Sequence, residues 1–105
     1  MYERWYEYHW NYRRWMSPFW RAIAVCESGK NPPNWEHDSG TYLSTFGIIR
    51  SEYTADAAVF GSPPWDVRHT PRDQYHAALG HQRRFGLNGW GCYTHGGYLV
   101  HLGRV

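Results

Sequence analysis

The chain has 105 residues and a net charge of +2, enough for one domain, because two cores of about 50 residues each would be marginal without extra staples. Seven Trp, nine Tyr and four Phe outweigh three Ile, five Leu and five Val, so the core has to be built from aromatic rings, each burying about 150–250 Å². A charge this small and scattered leaves no nucleic-acid footprint, and the longest apolar run, Ala22–Cys26, is far too short to cross a membrane.

Trp5, Tyr8, Tyr12, Trp15 and Phe19 recur at intervals of 3, 4, 3 and 4, with Glu3, Glu7 and Arg14 on the opposite side. That spacing predicts an amphipathic helix over residues 1–16 whose aromatic stripe packs onto the core. Trp10 falls towards the polar side and is the exposed aromatic. The same segment has no apolar centre and does not read as a signal peptide.

Ser17-Pro18 is an N-cap followed by proline at the first helical position. It opens a helix from Phe19 to about Glu27, which Ser28-Gly29 and then Pro32-Pro33 stop. Residues 30–47 are turn formers with a β-prone piece at Tyr42–Phe46, a loop or small hairpin. Ser51–Phe60 reads as helix with Gly61 as its stop. Thr70-Pro71-Arg72-Asp73 starts another that ends near Phe85-Gly86. From Leu87 to Val105 the glycines predict loop, with Tyr98–Leu102 extended.

Cys26 and Cys92 lie 66 positions apart with no third cysteine, which leaves a long-range disulfide or two free thiols and disfavours a zinc site. The histidines offer no metal-like spacing: His76 and His81 are five apart and there is no HExxH. Neither a metal nor a cofactor is expected.

One helix carries chemistry. Trp20, Ile23, Ala24 and Glu27 stand at positions 0, 3, 4 and 7, so Glu27 shares the apolar face in the last turn. Desolvation and a helix C-terminus both raise a carboxyl pKa, and an acid kept protonated near neutrality is what protonating a glycosidic oxygen requires. The alternative is a last-turn glutamate pointing at water.

The segment Trp20-Arg-Ala-Ile-Ala-Val-Cys-Glu-Ser-Gly29 resembles the opening of the resuscitation-promoting-factor domain, the transglycosylase-like branch of the lysozyme superfamily that also occurs in actinobacteriophage lysins and tail proteins. Asn34-Trp35, Ser39-Gly40, Phe46-Gly47-Ile48, Pro71-Arg72-Asp73-Gln74 with Ala77-Ala78, and Gly89-Trp90-Gly91-Cys92 are similar to the later motifs of that family, in the same order, over residues 18–92. Ile49 stands where the family has a groove-supporting Gln.

The resemblance implies an α+β, mainly α, lysozyme-like fold with a small β-element, closed by Cys26–Cys92, within a single domain. Residues 17–92 would form the family core, 1–16 an added helix and 93–105 a C-terminal extension. It makes Glu27 the catalytic acid and puts Thr54 and Gln74 at or near the groove. Trp35, Tyr42, Trp65 and Trp90 sit in loop contexts, where aromatics either stack on sugars or pack in the core. Of these, Trp35, Tyr42 and Trp90 join Thr54 and Gln74 as expected substrate contacts.

The expected activity is cleavage of the MurNAc–GlcNAc β-1,4 bond of peptidoglycan, with a glycan strand as partner. Hydrolysis by paired carboxylates needs a second acid, and Glu36, Asp38, Glu52 and Asp56 carry no mark of that role. One marked acid suits a lytic transglycosylase, or hydrolysis by a water the groove orients. The competing class is a non-catalytic peptidoglycan-binding or structural module, such as a phage-tail component. Either would work outside the cell, at the wall or delivered by a phage particle, alone or beside other domains of a larger lysin.

Overall fold

The structure, a computed structural model, describes residues 5–105. It is mainly helical, with one two-stranded antiparallel sheet. The N-terminal helix contains a π-helical turn, Glu7–Asn11, and continues as α1, Tyr12–Trp15. Helix α2 spans Pro18–Ser28, strands β1 and β2 are Tyr42–Leu43 and Ile48–Ile49, and α3 spans Arg50–Val59. Helix α4 is Pro71–Phe85, and a short α5, Gly91–Thr94, precedes a 3-10 turn at Gly97–Val100.

The start signals act as their chemistry dictates. The Ser17 hydroxyl accepts from the Trp20 N–H, and Gly29 at φ 70° closes α2. At α4, Thr70 and Asp73 form a reciprocal capping box.

The N-terminal helix departs from the simple stripe. Its π turn adds a residue to one turn and rotates Trp5 out of line. Trp5 is 48% exposed and stacks on His9. A tertiary contact falls within this turn: the Trp35 indole N–H donates to the Tyr8 carbonyl at 2.7 Å, from outside the helix. Tyr12 and Met16 are buried and Tyr8 and Trp15 lie against the core, so the helix packs onto the domain. Trp10 is exposed, under the Arg13 guanidinium.

The expected extension at Tyr98–Leu102 is replaced by the 3-10 turn. Gly96 at φ 76° turns the chain, and Tyr98 closes on Phe19 and Tyr93.

Trp20 lies at the centre of the core, edge-on to Phe19, Phe46, Tyr75 and Trp90 at 5.1–6.4 Å between centroids. Helices α3 and α4 meet closely at Gly80. A Cβ there would overlap the Asp56 carbonyl.

Two outcomes follow from this packing. Gly80→Ala must part α3 from α4 and should cost about 1–3 kcal/mol, the usual effect of overpacking, read as a lower urea midpoint. Burial raises the Asp73 pKa, but hydrogen bonds from Arg68, Thr70 and Ser62 outweigh it and bring it down to about 2. A depressed carboxyl contributes stability above its unfolded pKa and loses it as pH falls through the folded one. Between pH 4 and 2 the protein should therefore lose about 2 kcal/mol that Asp73→Asn no longer has to lose, measurable by acid unfolding of both proteins.

Candidate active site

Glu27 occupies the last turn of α2, half-buried. Its Oε2 accepts the Cys92 backbone N–H at 3.1 Å. Oε1 lies on the other side, 3.9 Å from where a Cβ of Gly47 would stand. Gly47 has φ 63°, a conformation glycine adopts without strain, and the turn between β1 and β2 therefore brings bare backbone against the carboxyl. Desolvation raises the Glu27 pKa, and the Cys92 hydrogen bond opposes it less strongly. The donor at Oε2 makes that oxygen an acceptor, so in the neutral acid the proton resides on Oε1.

Beside Glu27 is an open cavity of about 330 Å³ lined by Glu27, His37, Ser39, Tyr42, Gly47 and Gly89. His37 donates through Nδ1 to the Ser44 carbonyl at 3.0 Å, which fixes its ring. Tyr42 is 48% exposed at the rim. A second cavity of about 180 Å³ shares Tyr42, Gly47 and Gly89 as walls and adds Ile48, Ile49, His81 and Trp90. The two make one groove along the hairpin.

Glu27 is the one carboxylate among the residues lining the first cavity. The other acids are engaged elsewhere: Glu36 with His69, Asp38 with Arg50, and Glu52 with Arg84. Asp56 is fully buried and holds His81 and Arg84 at 2.7 Å each. Among the described residues no group of three metal-ligating side chains converges.

Of the expected substrate contacts, Tyr42 lies in the groove beside Glu27. Trp35 is buried, its indole spent on the Tyr8 carbonyl. Trp90 is also buried, donating to the Phe46 carbonyl at 2.8 Å, and offers only an edge to the second cavity. Gln74 has no exposure. Its amide donates to the Trp35 and His69 carbonyls and accepts the Thr45 N–H, so it braces the loop behind the site. Thr54 is exposed on α3 and lines neither cavity. Trp65, the remaining loop tryptophan, is buried between Tyr53 and His69. Burial explains the pattern: large rings with an N–H to satisfy are used for the core before the surface.

His37 and His81 are groove residues that no sequence pattern marked. His81 is 25 positions from Asp56, and nothing short-range signals the pairing.

Cys26 and Cys92 are bonded, with Cα atoms 6.0 Å apart. Compared with known protein families, curated proteins and solved structures, the chain matches none.

Replacing Cys26 and Cys92 together by Ser should cost about 4 kcal/mol, from the entropy of a loop of this length. Because the disulfide carries the Cys92 N–H to Glu27, the replacement should also alter the carboxyl titration of Glu27, visible in its ¹³C side-chain signal.

Proposed function

We propose that this protein is a muralytic enzyme that cleaves the MurNAc–GlcNAc β-1,4 bond of peptidoglycan with Glu27 as its general acid, outside the cytoplasm, where a disulfide persists. The observation that carries this is the carboxyl itself. It is half-buried with a raised pKa, tethered at Oε2 and lining a cavity with no other carboxylate on its wall. The motif resemblance over residues 18–92 supports the same assignment.

Oε1–H donates its proton to the glycosidic oxygen as the bond to the muramic acid C1 breaks. The resulting Glu27 carboxylate then takes a proton back, either from the C6 hydroxyl of the same sugar, which closes a 1,6-anhydro ring, or from a water that attacks C1. Both routes need one carboxyl group in two protonation states. The Cys92 N–H steadies the ionised form between the two steps, and burial favours the protonated form at the start.

Glu27→Gln keeps shape and hydrogen-bonding capacity but removes the transferable proton. It should fold normally and lose about 10²–10⁴ in the rate of clearing a cell-wall suspension. If it clears walls as fast as the wild type, Glu27 is not the acid. Because the working form is protonated, activity should be retained below the raised Glu27 pKa and fall as pH rises through it. Anhydromuramic ends among the products mark the transglycosylase route and reducing ends mark hydrolysis. A protein that binds walls without any Glu27-dependent clearing is a binding module.

A further inference from the structure

The groove continues past Glu27 into the second cavity, where the one titratable group besides the rim tyrosine is His81. Its ring is held firmly. Nδ1 lies 2.7 Å from Oδ2 of Asp56, a fully buried carboxylate that also accepts from Arg84. Arg84 donates to the other Asp56 oxygen, so the carboxylate accepts on both sides and Nδ1 is the donor to it. In the neutral ring Nε2 therefore carries a lone pair. Among the described residues Nε2 has no hydrogen-bond partner. It lies 3.6 Å from where a Cβ of Gly89 would be, and Gly89 is a wall common to both cavities. Gly89 has a backbone conformation open to other residues, and the space it leaves empty is what a side chain there would fill.

A buried carboxylate fixes the tautomer, and the other nitrogen lies beside Gly89, in a cavity whose remaining walls are Tyr42 at the rim, Gly47 and the apolar Ile48, Ile49 and Trp90. An apolar cavity with one oriented acceptor suits a ligand with a hydrocarbon face and an O–H or N–H at its edge. A pyranose has that form.

We propose that His81, oriented by Asp56, is a sugar-binding residue whose Nε2 accepts a hydrogen bond from a hydroxyl or amide N–H of the glycan residue lying next to the one at Glu27. This rests on the groove being a glycan site. Asp56 is a positioning residue in it, and Arg84, itself paired with Glu52, holds Asp56 in turn.

The test uses the full chain carrying Glu27→Gln, which leaves the ligand uncut, and a soluble tetrasaccharide of alternating GlcNAc and MurNAc as the probe. Calorimetry gives the affinity and the ¹⁵N signals of the His81 ring report directly on the lone pair. The tetrasaccharide should move the Nε2 resonance and leave Nδ1 nearly in place. Adding His81→Ala should weaken binding about fivefold, the usual worth of one neutral hydrogen bond. Should His81→Ala not fold, the ring signals of the histidine-bearing protein decide alone. Unchanged affinity or an unmoved Nε2 signal overturns the proposal and leaves the role of Glu27 intact. Absence of tetrasaccharide binding also overturns it. If wild-type protein in addition fails to clear cell walls, the assignment of Glu27 falls as well.

Discussion

The bond between Cys26 and Cys92 joins the last turn of α2 to the start of α5, and the site depends on that junction. It brings the Cys92 N–H to 3.1 Å from Glu27, which separates the two carboxyl oxygens into a tethered one and a free one. It also fixes what lies on its outer side. Gly97 sits so close that a Cβ would stand 3.0 Å from the Cys26 sulfur, and from there Tyr98 folds back onto Phe19 of α2. A small domain with 13 aliphatic Ile, Leu and Val residues has limited hydrophobic burial to set against chain entropy, and one long-range cross-link both removes unfolded-state freedom and places the catalytic candidate.

The aromatic core imposes a second constraint. A buried indole N–H costs free energy when left unpaired, as it is at Trp15. Trp35 and Trp90 avoid that cost by donating to the carbonyls of Tyr8 and Phe46. Those two bonds pin the N-terminal helix and the hairpin turn to the core. They also commit both rings to packing, so the groove keeps Tyr42 as its exposed aromatic and draws its polar character from Glu27, Ser39 and two histidines.

Behind the groove a polar scaffold performs work that aliphatics do elsewhere. Gln74 ties α4 to the loop at Trp35 and to the turn at Thr45. The Thr45 hydroxyl in turn donates to the Ala24 carbonyl of α2. Asp56 links α3 to α4 through His81 and Arg84, beside the contact at Gly80. Gln74, Thr45 and Asp56 are buried and bonded, so their geometry is well defined, and the same network that holds two helices together sets the direction of the His81 ring.

Local chemistry in the chain determined the elements. Caps at Ser17 and Thr70, stops at Gly29 and Gly86, and the placement of Glu27 on the apolar face of α2 follow from interactions within a few residues, which a linear pattern carries. The cysteine pairing was legible too, through the motifs of residues 18–92, and the raised pKa of Glu27 through its place on the apolar face of α2. What only the tertiary structure decided are matters of long range. The N-terminal helix took a π turn where the Trp35 indole meets the Tyr8 carbonyl, and Trp5 lies exposed. The disulfide and Tyr98 coiled a tail expected to be extended. Gln74, Trp35 and Trp90 became supports, and His81 was aimed at the groove by a carboxylate 25 residues away. Spacing along a chain records which face a residue takes, but which partner waits there depends on how distant segments pack.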